Sequence, residues 1–376
     1  MIIKNAKIHN MIDQNEFIGD IKINKEFIEK VDKNIKSLNS DEKVIDLNGL
    51  DIYPGFIDAH NHLGIIEDSL CSEGDDVNEI SDPITPHLRV IDAINPNDRC
   101  FKEALDAGVT TVIVSPGSTN PIAGNISAIK TFGNRIDDML IKSSIGIKFS
   151  MGENPKKAHH KDAIATRMSI AALIRETLAK AKKYNPNERY DIKLEALLPL
   201  ISKKSIAFFH AHRSDDIFTS IRIAKEFNLK YVIIHATDGH LITDELKQEK
   251  ASVLSGPFIM GRTKPELKNL TPASPAIMND KGITTAIISD HPEFPCNYLP
   301  LCAYVAYQEG MSEFEAIKAI TSNPAKICEI DNLVGTIEPG KYANLIAFNG
   351  SPLINKPKLI ITEGKLYKDN RYTSPN

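Results

Sequence analysis

The chain has 376 residues, 42% of them hydrophobic and 25% charged, too apolar for a disordered polymer and long enough to bury a large core without staples. Its 45 Lys and Arg against 49 Asp and Glu give a net charge of −4 without long like-charge blocks, which excludes the basic stripe of a nucleic-acid-binding protein. Apolar runs such as 299–307 are about half of the ~20 residues that a membrane span needs.

At roughly 150 residues per domain, the length fits two or three units or one large barrel with an addition. The five cysteines (Cys71, Cys100, Cys296, Cys302, Cys328) are odd in number and form no C-x-x-C pair. Reduced thiols in a cytoplasmic protein are therefore expected, not a disulfide framework. The opening MIIKNAKIHN carries too short an apolar stretch for a secretory signal.

In chain order, Ile21 and Ile23 alternate with Asp20 and Lys22, and 44–47 precedes a turn at Asn48-Gly49. Alternation of this kind predicts a half-buried antiparallel sheet over 1–52. Apolar, β-branched runs follow at 55–59, 110–115, 127–131, 145–150, 205–211, 231–236, 251–255 and 284–289, several of them apolar nearly throughout, as strands buried on both faces are. Helical patterns lie between many of them: 101–107, ending at Gly108; 163–183, with Ile164, Met168, Ala171 and Ala172 near helical spacing; and 217–227, after Asp215-Asp216. Strand–helix alternation predicts a parallel α/β barrel over 53–333, and the weak run at 127–131 raises the strand count to the eight that close it. Residues 334–376 turn β-rich again, at 344–348 and 359–361. The expected fold is α/β: a TIM-like (β/α)8 barrel with a small β-sandwich domain formed by 1–52 and 334–376.

Polar residues sit where the apolar runs end. In Pro54-Gly55-Phe56-Ile57-Asp58-Ala59-His60-Asn61-His62 the two histidines at i and i+2 share one side of an extended chain, where two imidazoles can grip one metal ion. His210 and His212 close Phe208-Phe209-His210-Ala211-His212, His235 closes 232–235, and Asp290 closes 286–290. Singly, each reads as a satisfied core residue. Four strands ending alike, on the face where barrel strand ends converge, predict a metal centre. Lys148, in Ile145-Gly146-Ile147-Lys148-Phe149, is a further strand-end candidate, because a lysine in an apolar strand is costly unless paired, deprotonated or chemically altered.

With these residues in view, the chain resembles the metal-dependent amidohydrolase superfamily over essentially its whole length. The likeness is carried by PGFIDAHNH at 54–62, EALDAGVTT at 103–111, SDHP at 289–292, TSNPAKI at 321–327 and VGTIEPGKYANLIAF at 334–348. It is most similar to the branch that holds imidazolonepropionase and prolidase-like dipeptidases. SPGSTNPIAGN at 115–125, GENPK at 152–156 and HAHRSDDI at 210–217 look like marks of one group there. Asn344 stands where many relatives have Asp, and Glu329 where Gly is common; both lie outside the predicted site.

The resemblance implies that His60 and His62 bind the more buried metal, that His210 and His235 are the strand-five and strand-six ligands, and that Asp290 binds metal and takes a proton from the attacking water. His212 substitutes for His210 if the register shifts by two, and Glu153 is an alternative carboxylate ligand. Lys148 takes the place of a carboxylated lysine that bridges two metals. The implied cofactor is a divalent ion, most often zinc: two per chain if Lys148 is carboxylated, one held by three histidines and Asp290 if it is not.

The implied reaction is hydrolysis of a C–N bond in a small molecule (an amide, cyclic amide or dipeptide-like bond) by metal-bound hydroxide. Asp290 acts as general base and then acid, and a strand-end histidine, His235, assists at the oxyanion. Two other readings stand beside it: a single-metal deaminase of a heterocycle, and a metal-free, non-enzymatic scaffold on the same fold, which the full ligand set opposes. Residues 63–95, a long connection after the first barrel strand, are expected to cover the site. Arg213, His240, Arg262 and Lys264 follow strands five to seven, and a cation there would hold a substrate carboxylate; Lys156 has a similar standing. His159-His160 reads as solvated. The class of protein suggests a homodimer.

Overall fold

A computed structural model describes residues 1–37, 42–160 and 164–371. Five strands come first: β1 (Ile2–His9), β2 (Glu16–Asn24), β3 (Phe27–Asp32), β4 (Val44–Asp46) and β5 (Asp51–Pro54). Eight follow: β6 (Phe56–Asn61), β7 (Val109–Val114), β8 (Ile122–Lys130), β9 (Leu140–Ser150), β10 (Ile206–Ala211), β11 (Tyr231–His235), β12 (Val253–Ser255) and β13 (Thr285–Ile287). The last three are β14 (Leu345–Phe348), β15 (Leu359–Thr362) and β16 (Lys365–Asp369).

The outer strands of the chain form one sheet in the order β16-β15-β14-β5-β1-β2-β3, with β4 and β5 sharing one edge of β1 in succession. The two ends of the chain meet where β5 pairs antiparallel with β14, Asp51 opposite Phe348 and Pro54 opposite Leu345. Ile3, Ile8, Ile21, Ile52, Leu345 and Ile361 are buried in a common core, which explains the alternation in the sequence.

Asp20 clamps this sheet. Its buried carboxylate accepts from the Ile35 N–H (2.7 Å), the Lys4 ammonium (2.8 Å) and the Asn5 N–H (3.1 Å). Burial alone would raise its pKa, but the three donors, led by Ile35, outweigh it and hold the carboxyl below the usual range. A depressed folded pKa adds stability that is present above about pH 4 and lost as pH falls through the folded value. Asp20→Ala should cost about 1–3 kcal/mol at pH 7. In urea titrations from pH 7 to pH 3 its deficit against the parent should shrink towards the acid end; a constant gap would refute the ionised clamp.

Strands β6 to β13 neighbour one another in chain order and form the barrel. Ile57, Ile113, Ile145, Phe208, Ile234 and Leu254 fill its interior, and β7 and β10 are buried along their whole length. The barrel closes beyond β13, where the Asp290 N–H donates to the His60 carbonyl (3.1 Å) and the His62 N–H to the His291 carbonyl (2.9 Å). One strand departs from the expected parallel arrangement: β8 runs antiparallel to both β7 and β9. The cause is connection length. Residues 115–121 and 131–139, which join these strands, are shorter than the dozen or so residues of a parallel crossover.

Reversal puts the start of β8 on the face where the other strands end. Residues 63–95, regular only in two short 3-10 turns, dock there: the Thr85 N–H donates to the Ile122 carbonyl and the Asn125 N–H to the Leu88 carbonyl, both at 2.8 Å. The helix expected over 163–183 runs Arg167–Lys183, residue 163 lying outside the described ones, and starts in a reciprocal cap between Thr166 and Ser169. Its buried stripe is Ile170, Ala171, Ile174 and Leu178. Met168 is 78% exposed, so the expected face was misregistered. No helix among the described residues is long and apolar enough to cross a membrane, and all five cysteines are free thiols.

Candidate metal centre

Strand ends deliver two groups of ligand-type atoms, each within 4.8 Å of one another: His60, His62 and Asp290, and His210, His212 and His235. In the first, Asp290 Oδ1 lies 3.2 Å from His60 Nε2 and 3.4 Å from His62 Nε2. In the second, His235 Nε2 lies 3.0 Å from His210 Nδ1. The two groups adjoin: the rings of His60 and His235 are 5.7 Å apart, and Lys148 Nζ is 3.1 Å from His60 Nε2. His212, read from sequence as a substitute for His210, stands beside it.

Backbone carbonyls set two tautomers. Nδ1 of His62 is 2.6 Å from the Ser115 carbonyl, and Nδ1 of His235 is 2.6 Å from the Gly256 carbonyl. A carbonyl only accepts, so each Nδ1 carries the proton and each Nε2 presents a lone pair to the interior. His212 Nδ1 is 2.8 Å from the Thr237 hydroxyl. Burial pushes His60, His210 and His212 well below the usual imidazole range, and His235 down to about 4. All four are neutral at physiological pH, the form that binds metal.

Burial also takes Lys148 down to about 7, against the opposing charge of Asp290. The carboxyl of Asp290 is drawn well below its ordinary range only so far as His235, His60 and His62 are protonated towards it, since burial works against its ionised form; with those rings neutral, a divalent ion held by the same atoms would take that part.

These donors fit divalent metal. A tetrahedral zinc with Zn–N of about 2.0–2.1 Å holds its ligand atoms roughly 3.3 Å apart, close to the separations of Asp290 Oδ1 from the His60 and His62 nitrogens in the first group. His210 Nε2 and Asp290 Oδ1 are buried with no well-directed hydrogen-bond partner, a costly state for polar atoms unless something else satisfies them. His235 (φ +71°) and Asp290 (φ +55°) occupy the left-handed region, which costs of order 1–3 kcal/mol each and gathers at functional sites.

Asp58 is a site residue that sequence reasoning missed. Buried in β6, it accepts from the Ser289 N–H (3.2 Å) and the Ser289 hydroxyl, joining the strands that carry His60 and Asp290. Burial pushes its carboxyl up to about 6. The signal was present: a charge within an apolar run, the argument already applied to Lys148.

A cavity of about 370 Å³ opens over both groups, reaching His62, His210, His212 and Asp290. Its roof comes from Asn78 of the 63–95 segment and from Gly117, Ser118 and Thr119 of the 115–121 turn. Gly117 is required there, since a Cβ would lie 2.2 Å from Asn78 Oδ1, the oxygen that accepts from both the Thr119 N–H and hydroxyl.

The expected substrate contacts are placed elsewhere. Arg213 pairs with Asp215 (2.8 Å), Arg262 donates to the Leu270 carbonyl (2.7 Å), and His240 Nδ1 lies 3.1 Å from the Thr237 carbonyl; none lines this cavity. Local partners capture each of them. Glu153 is paired with Lys157 at 2.6 Å and belongs to neither group. Lys156 lines a separate cavity. His159 is buried, not solvated, with Nε2 2.8 Å from Asn120 Oδ1. Lys264 alone of these cations lines the cavity.

Residues 52–374 match the Amidohydrolase family. A solved structure of an amidohydrolase from Thermotoga maritima MSB8 superposes with a TM-score of 0.93 at 36% identity, covering 98% of this chain and 99% of that one. Among curated proteins, the chain is 25% identical to Amidohydrolase tasK of Hapsidospora irregularis, over 90% of its own length and 38% of that protein's. It is 24% identical to an adenine deaminase of Methanosphaera stadtmanae, over 99% and 59% respectively. With an imidazolonepropionase of Alkaliphilus oremlandii it shares 22% identity over 86% and 83%. The chain thus spans less than two thirds of the first two of these curated relatives.

Proposed function

Because this chain belongs to the amidohydrolase family, an enzyme family acting on C–N bonds, we propose that it is a metal-dependent hydrolase of small-molecule amide, cyclic amide or dipeptide-like bonds. The observation that carries this reading is the pair of buried ligand groups that adjoin through His60, His235 and Lys148 at the strand ends. We read residues 53–333 as the catalytic unit, 1–52 with 334–376 as a separate sheet domain, and the free cysteines as fitting a cytoplasmic protein.

Zinc would be held by His60, His62 and Asp290, and a second ion by the group of His210, His212 and His235, with Lys148 between them; bound there, divalent metal supplies Lewis acidity and acidifies water. Asp290 Oδ takes the proton of the attacking water and returns it to the departing nitrogen. His235 is a ligand in this scheme and not a proton donor, because its one proton is committed to the Gly256 carbonyl. The 63–95 and 115–121 segments shield the reacting bond from bulk water and orient the substrate.

A single-metal deaminase is the second reading, favoured by the likeness to adenine deaminase. The test is turnover by metal-loaded protein of N-acyl amino acids, dipeptides and cyclic amides on one side and adenine on the other. We expect a released amine or an opened ring, lost on chelation and restored by zinc or manganese. Ammonia from adenine alone would install the deaminase.

A further inference from the structure

We propose that Lys264 anchors a substrate carboxylate, so that the substrates are small amides bearing a free carboxylate beside an apolar side chain; this rests on the hydrolase reading above. Among the described residues that line the metal-facing cavity, Lys264 is the one lysine or arginine. Its ammonium has one ion-pair contact. Lys264 Nζ lies 3.0 Å from Oε1 of Glu266, a carboxylate 2% exposed whose Oε2 accepts the Glu153 N–H at 3.2 Å.

One contact to Glu266 leaves the ammonium further N–H directions, and its side chain stays about one-fifth exposed towards the cavity. A lysine needed only to neutralise Glu266 would gain nothing from that opening. The walls beside it, Ile66, Val77, Met260 and Leu267, are apolar and suit an aliphatic or aromatic side chain. At about 370 Å³ the space sits near the small end of ligand cavities, roughly 300–1,000 Å³, which fits a dipeptide-sized molecule. Arg213 and Arg262, the alternative anchors, are engaged outside it.

The test uses N-acetyl-L-leucine and glycyl-L-leucine, each beside its C-terminal amide. Hydrolysis is followed by released amine, and binding independently by the ligand-induced shift in Tm. The acids should exceed the amides at least about tenfold in kcat/KM or apparent affinity, as charge-assisted contacts do. Lys264→Met should abolish that preference, and Lys264→Arg should keep part of it. Because Lys264→Met strands a buried carboxylate, Lys264→Met/Glu266→Gln is measured alongside as a neutral replacement for the pair.

Equal handling of acids and amides, or a preference that survives both the single and the double variant, overturns the anchor while leaving the hydrolase intact. Failure of every acid to bind or react also overturns it. An acid-selective Tm shift without turnover of any compound supports the anchor and counts against the hydrolase.

Discussion

Asp290→Asn should retain most bound metal and lose about 10²–10⁴-fold in kcat/KM, the span that a positioned general base supplies. The substitution is close to isosteric, and the anchor of this residue is its backbone: the Asp290 N–H donates to the His60 carbonyl, and its φ of +55° suits asparagine as well as aspartate. What disappears is the second anionic oxygen. In the parent, a divalent ion held beside it would keep the buried carboxylate ionised and ready to accept a proton. Asparagine offers no such site. Elemental analysis, a melting curve and turnover on one preparation decide the matter: full turnover removes the proton-transfer role, and joint loss of metal and turnover makes Asp290 a ligand only.

The second large effect concerns Lys148. Burial takes Lys148 down to about 7, so its amine has neutral, nucleophilic character near neutral pH, more at pH 8 than at pH 6. Attack of Nζ on carbon dioxide forms a C–N bond and releases one proton, leaving a carbamate whose oxygens can face both ligand groups. Metal reconstitution should therefore reach near two ions per chain in bicarbonate at pH 8. It should fall towards one at pH 6 or in carbon dioxide-free buffer. Lys148→Met should stay near one under every condition and lose most activity. Two tightly held ions in Lys148→Met would eliminate the bridging role.

Sequence made the barrel legible because strands buried on both faces must be apolar throughout, and all eight runs fall on observed strands. Direction was harder. The reversal of β8 is written in the length of 115–121, not in the composition of 127–131. The residues that the fold gathers at the strand ends were legible for the same reason as the strands: His60, His62, Lys148, His210, His235 and Asp290 interrupt apolar runs at their ends. His210 and His212 both met that pattern, and only the folded arrangement shows them side by side with His235. Arg213, Arg262 and His240 followed the right strands, but Asp215 and the carbonyls of Leu270 and Thr237 capture them. Partners of that kind depend on how loops fold back. For Met168, the apolar spacing admitted two faces, and packing chose the one through Ile170 and Ile174.

The pairing of β5 with β14 also matters during synthesis. Asp51 faces Phe348, a partner about 300 residues downstream, which a ribosome adding about 5–20 residues per second reaches roughly 15–60 s later. Until then the Asp51–Pro54 edge has unpaired backbone donors and acceptors, the state in which strands recruit wrong neighbours. A nascent chain therefore holds an open seam through the whole assembly of its barrel, and premature termination before residue 345 leaves that seam permanently unsealed.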